Sequence, residues 1–261
     1  MDYLEINKKL WDKRTTVHYS SDFYNVEGFL RGESSLNTIE LDLLGNIKGK
    51  KILHLQCHFG MDTISLSRMG AEVTGVDFSR KSITKAKELA KKTGNNTRFV
   101  ECDIYKLPQV LDEKFDLIFT SYGVIGWLPD MNRWASVIKH LIKPSGKLVL
   151  VEFHPVIWMF SYDFKKVEFN YSDVEPIVEE LEGTYTDGGK ELKNKSVSWN
   201  HGLSTVINAL IVNGLKISSF QEYNYSPYNC FENTLEISLN RFQIKGLEGK
   251  IPMVYSLTAT F

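Results

Sequence analysis

The chain has 261 residues, 43% hydrophobic and 24% charged, enough for one full globular core. A formal net charge of −1 excludes the strongly basic footprint of a nucleic-acid-binding domain, and no apolar run approaches the roughly twenty residues of a membrane span. Cys57, Cys102 and Cys230 are odd in number and far apart, and MDYLEINKKLWDKR lacks the apolar centre of a secretory signal, so a reducing, cytoplasmic setting is expected.

The first 45 residues read as short helices joined by polar turns. EINKKLWDKR is a charged helix, and SSLNTIELDLLG an amphipathic one stopping at Gly45. Strand and helix patterns then alternate. KKILHLQ and AEVTGVDF are buried-type strands flanking a helix that ends at Gly70. SRKSITKAKELAKKTG carries an N-cap at Ser79, a stripe of Ile83, Ala86 and Ala90, and a stop at Gly94. TRFVECD and FDLIFTS are the third and fourth strands, NRWASVIKHLI the next helix, and KLVLVEF the fifth strand. This alternation predicts a parallel sheet covered on both faces.

Residues 155–200 break the pattern, with many aromatics and a hairpin expected around Asp187-Gly188-Gly189. They read as a substrate cap inserted into a single domain spanning 1–261. LSTVINALIVNG then gives a helix, and LKISSFQEY and MVYSLTATF the last two strands.

In an open parallel sheet, ligands bind beyond the carboxyl ends of the strands. There the sequence places Gln56 to Asp62, then Asp77, Asp103, Thr120 to Tyr122, and finally Glu152 and His154. An acid after strand 2 suits the two hydroxyls of a ribose, and one after strand 3 an exocyclic amine. Each can also be read locally, as a helix-opening or turn aspartate.

Around these residues the segments GVDFSRKSITKAKELA, ECDIYKLP, FDLIFTSYGVIGWLPD and LIKPSGKLVLVEF resemble the class I S-adenosylmethionine-dependent methyltransferases, of the type acting on small molecules. The resemblance runs from Gly49 to Phe153 and more loosely to the end. It implies a Rossmann-like α/β fold: a seven-stranded, mostly parallel sheet with helices on both faces, its terminal strand antiparallel. It also implies S-adenosylmethionine as cofactor, with Asp77 and Phe78 at the ribose, Asp103 and Ile104 at the adenine, and Thr120 and Ser121 beside the methionine moiety. The N-terminal helices, near Trp11 and His18, would close over it. Family loops read as an acid followed by G-x-G-x-G; here those positions hold His54, Gln56, His58 and Gly60. The resemblance therefore makes Gln56 a side-chain ligand for the ammonium and Gly60 the point of close approach.

Rival readings are an NAD(P) oxidoreductase, which lacks its G-x-G-x-x-G here, and a non-catalytic binder on the same fold. His54, Cys57, His58 and Cys102 match no tight zinc spacing, so no metal is expected. Candidate catalytic residues are His154 and His201 as bases and Tyr122 as an orienting group. Trp127, Trp158 and Trp199 are candidates for the acceptor pocket, or for the core of the cap itself.

Overall fold

A computed structural model describes residues 2–261. Three helices open the chain: α1 (Tyr3–Tyr19), α2 (Val26–Leu30) and α3 (Thr38–Leu44). Asp2 starts α1 by accepting from the Glu5 N–H. The alternating region follows as β1 (Lys51–Leu55), α4 (Met61–Arg68), β2 (Glu72–Asp77), α5 (Arg80–Lys92), β3 (Arg98–Glu101), α6 (Leu107–Val110), β4 (Phe115–Ser121), α7 (Met131–Leu141) and β5 (Ile142–Phe153). The remainder is β6 (Ile177–Glu182), β7 (Lys193–Ser198), α8 (Leu203–Val212), β8 (Lys216–Tyr223), β9 (Thr234–Ser238), β10 (Arg241–Ile244) and β11 (Val254–Thr260).

Seven strands form one sheet in the order β3-β2-β1-β4-β5-β11-β8. Only β11 runs against its neighbours, pairing antiparallel with both β5 and β8, as expected for MVYSLTATF. Alternation sorts the strand side chains to two faces. Leu53, Leu55, Ile118, Leu148 and Leu150 pack with α7 and α8 on one face, while Ile52, Val73, Leu117, Phe119 and Val149 pack with α3 on the other. All but Val73, at 4% exposed, are wholly buried. Burying each such side chain contributes about 1.5–3 kcal/mol, so the two-sided core dominates the stability of this sheet.

Local signals place the helices as read. Ser79 Oγ accepts from the Ser82 N–H at 3.1 Å to start α5, whose buried stripe is Ile83, Ala86, Leu89 and Ala90. The expected hairpin around Asp187-Gly188-Gly189 is present, with a longer loop than a tight turn. It pairs Ile177–Glu182 with Lys193–Ser198, and Asp187-Gly188-Gly189 sits in the loop between them. That loop is held by tertiary contacts: Asp187 accepts from the Asp22 and Phe23 N–H groups. A second hairpin, β9–β10, follows β8; it was not read from the sequence, although TLEIS and RFQI both alternate polar and apolar residues.

Candidate active site

The sheet reverses its strand order at β1 and β4, and the loops beyond their carboxyl ends form a crevice. In the first loop Gln56 and His58 adopt left-handed backbone, with φ of 53° and 50°. These are the positions where the family pattern has glycine, and a side chain in that conformation costs about 1–2 kcal/mol. Their side chains are anchored instead. Gln56 Nε2 donates to the Val124 carbonyl at 2.8 Å, while His58 Nδ1 and Nε2 meet Ser82 Oγ (3.1 Å) and His18 Nδ1 (3.0 Å). Tyr122, just past β4, is also left-handed at φ 31°. Such strain gathers where a fold positions function.

Gly60 is also required by the packing beneath the loop. With φ at 79°, a Cβ there would lie 2.5 Å from Phe99 and 3.0 Å from Ala86, so packing under the loop demands the glycine.

Parallel pairing of β2 and β3 extends to Asp77↔Glu101, so Asp77 and Asp103 leave the sheet along one edge. Asp77 accepts from the backbone N–H groups of His58 and Ser79 at 2.9 and 2.8 Å. Burial nonetheless pushes its carboxyl up to about 6, because those two bonds only partly offset desolvation. Asp103 accepts from the Tyr105 N–H at 3.1 Å. Both acids line a narrow cleft with Gln56, Phe78, Ile104 and Trp127, and α1 closes the fourth wall with Tyr3, Leu4 and Asn7.

On the far side of the loop lies a second set of acids. Asp62, at the start of α4, accepts from Ser35 Oγ at 2.6 Å and faces Ser121 Oγ at 3.4 Å; burial pushes it up to about 7. It supplies a carboxyl near the end of β4 that His54, at the usual acid position, does not. His54 instead bonds Thr63 Oγ1 at 2.8 Å and is held down to about 3 by burial. Glu152, fully buried, accepts from the N–H groups of Gly123, Val124, Ile125 and Phe153, and so moulds the loop after β4.

The structure separates the other sequence candidates. His154 is bonded through both ring nitrogens, Nε2 to Glu222 at 2.8 Å and Nδ1 to the Val156 N–H, which leaves no nitrogen free to take a proton. His201 Nε2 donates to the Leu128 carbonyl at 2.7 Å, on the rim of the cleft. The Tyr122 hydroxyl donates to Glu40 at 2.9 Å. Trp127 and Trp199 sit on the α1 side, against Trp11 and Tyr3 respectively. Trp158 packs away from them on Phe153 and Phe231. Thr120 is wholly buried with an unpartnered hydroxyl. Cys57 is buried beneath the loop, and among the described residues no group of three or more His, Cys, Asp and Glu side chains gathers to hold a metal.

Sequence reasoning missed Arg14 and Glu40, and the roles of Asp62 and Glu152. WDKR and FGMDT were both visible, but neither shows that its charged residue ends up buried.

Strand order, the antiparallel β11 and the acids ending β2 and β3 define the class I S-adenosylmethionine-dependent methyltransferase fold. Residues 52–146 match the family model described as a methyltransferase domain, in line with the sequence resemblance. The ubiquinone biosynthesis O-methyltransferase of Coxiella burnetii is 30% identical over 143 residues, covering 52% of this chain and 60% of that protein. The match thus takes in less than two thirds of that relative. A methyltransferase from Clostridium acetobutylicum superposes with a TM-score of 0.60 at 16% identity, covering 97% of this chain and 99% of the other. One from Mesorhizobium loti gives 0.57 at 20% identity, covering 89% and 100%. The two solved structures establish the fold.

Proposed function

We propose that the protein transfers a methyl group from S-adenosylmethionine to a small-molecule acceptor. The carrying observation is the pair of carboxylates, Asp77 and Asp103, that line one cleft at the ends of adjacent strands. The residues present fit the cofactor. Two acids match the ribose hydroxyls and the adenine amine, with Phe78 and Ile104 beside them. Gln56 offers a buried Oε1 that has no hydrogen-bond partner, suited to accept from the methionine ammonium, and Asp62 adds a carboxyl near Ser121. Bound there, S-adenosylmethionine supplies a methyl already activated on a sulfonium, so positioning accounts for much of the catalysis.

The chain's own groups do the positioning. Glu152 fixes the 123–125 backbone, which in turn holds Gln56 through the Val124 carbonyl. Tyr122, anchored by Glu40, orients the acceptor from the end of β4. His201 shapes the rim. His154, with both nitrogens engaged, braces the end of β5 and takes no proton. Trp127 and Trp199 belong to the wall under α1. The acceptor class is consistent with the small-molecule relatives, and no described helix is long and apolar enough to cross a membrane. Three free cysteines suit a reducing, cytoplasmic location.

Calorimetric titration with S-adenosylmethionine tests this reading, with NAD as control. Wild type is expected to bind the former and ignore the latter. Asp77→Ala and Asp103→Ala should each weaken binding about tenfold or more, the worth of a hydrogen bond to a charged group. Absence of binding to wild type would overturn the proposal. Binding without turnover on any acceptor would favour a non-catalytic binder, a reading supported by the tight closure of α1.

A further inference from the structure

Arg14 lies on α1 nearly one turn beyond Trp11 and is 6% exposed, with its Nε wholly buried and unpartnered. Trp11 and Trp127 stand 5.4 and 5.8 Å from the guanidinium. The ionisable groups acting on it are the hydroxyls of Tyr185, Tyr24 and Tyr162. None supplies a negative charge. Tyr24 and Tyr185 bond to each other at 2.6 Å, and burial raises both above the ordinary tyrosine range. His18 and His58, which also feel Arg14, are held uncharged by burial, down to about 2 and about 3.

A guanidinium cannot shed its proton to escape such a place. A buried cation without a counter-ion is a standing cost that an anion would relieve. The planar fork of arginine is matched to a carboxylate, and the aromatic walls suit a flat or apolar body attached to it. Tyr162 and Tyr185 come from the segment between β5 and α8, whereas Trp127 is shared with the cleft that holds Asp77 and Asp103. The unpartnered Gln56 Oε1, by contrast, lines the cofactor cleft itself.

We infer that Arg14 receives a carboxylate carried by the methyl acceptor, which makes the acceptor a small organic acid. This inference rests on the methyltransferase reading above and narrows its substrate class. The cofactor's own methionine carboxylate has the same chemistry, so the test separates the two sources.

The experiment titrates acids against their primary amides by calorimetry, with the protein saturated in S-adenosylhomocysteine. The pairs are acetate, benzoate, phenylacetate and indole-3-acetate with acetamide, benzamide, phenylacetamide and indole-3-acetamide. At least one acid should bind wild type about tenfold or more tightly than its amide, the scale of a charge-assisted pair. Arg14→Met should abolish that preference and leave S-adenosylhomocysteine affinity unchanged. Arg14→Lys, which keeps the charge and loses the fork, should retain part of it and guards against misfolding of the first variant. The inference falls if no pair shows an acid preference, or if both variants keep it. It falls equally if the variants lose S-adenosylhomocysteine and keep the acid preference, because Arg14 then serves the cofactor. A wild type that fails to bind S-adenosylhomocysteine removes the methyltransferase reading, and this inference with it.

Discussion

Glu152 shows how one residue organises this site. Its carboxylate meets no cation and is satisfied by four backbone N–H groups, three of them in the segment after β4. Burial still raises its pKa, since desolvation outweighs those bonds. Glu152→Gln replaces an acceptor oxygen with an amide donor facing an N–H group. It should destabilise the protein by about 2–3 kcal/mol. Cofactor binding should weaken in parallel, because Val124 carries the carbonyl that holds Gln56. Urea unfolding and calorimetry on the same variant check both effects. Asp77 and Asp103 could be picked from sequence because strand ends and caps are local features. Arg14, and the roles of Asp62 and Glu152, could not, since what defines them is the partners they gain or lack after folding.

At the scale of elements, α1 governs access to the cleft. It is tied to the cap by Asn7, whose Nδ2 donates to the Val197 carbonyl at 2.7 Å while its Oδ1 accepts from the Val197 N–H at 3.0 Å. One turn further, Trp11 stacks edge-on against His58 and Trp127. The 183–192 loop completes the closure through Thr184 on His18 and Tyr185 on Tyr24. Asn7→Ala removes both bonds to Val197, worth about 1–1.5 kcal/mol, or roughly tenfold in the open population. Amide exchange across residues 3–19 should quicken accordingly, and S-adenosylhomocysteine should associate faster in stopped flow. Unchanged exchange would show that the aromatic contacts alone hold the helix. The helices themselves were legible from periodicity and caps. Their closure over the site was implied only by the family resemblance, and the Asn7 clamp was not visible at all, because the residues it joins lie 190 positions apart.

Across the whole molecule, the core buries imidazoles as well as hydrocarbon. His54 packs on Phe119 beneath the sheet, and burial alone lowers it from 6.5 to about 3. A folded pKa below the unfolded one means the unfolded chain takes up a proton that the native state refuses. Its contribution is therefore complete above pH 6.5 and is lost as pH falls toward 3. Asp62, raised to about 7, carries the opposite sign and favours the native state as pH drops through 7. Because several such groups oppose one another, the informative quantity is a difference between variants. His54→Gln should lose less stability than wild type on acidification, the gap growing by about 1.4 kcal/mol for each pH unit below 6.5. Urea unfolding of both proteins at pH 7 and 5 measures it.

Read alone, the residues already specify the alternating α/β architecture and the place of the acids that end β2 and β3. Those properties follow from apolar periodicity, caps and strand-end chemistry, all set by residues close together in the chain. The left-handed backbone of Gln56 and His58, the unpaired Arg14, the double engagement of His154 and the reach of the cap loop onto α1 were decided only by the tertiary structure. Each depends on which distant groups share one desolvated space, and burial, not sequence spacing, fixes what charge and hydrogen bonding cost there.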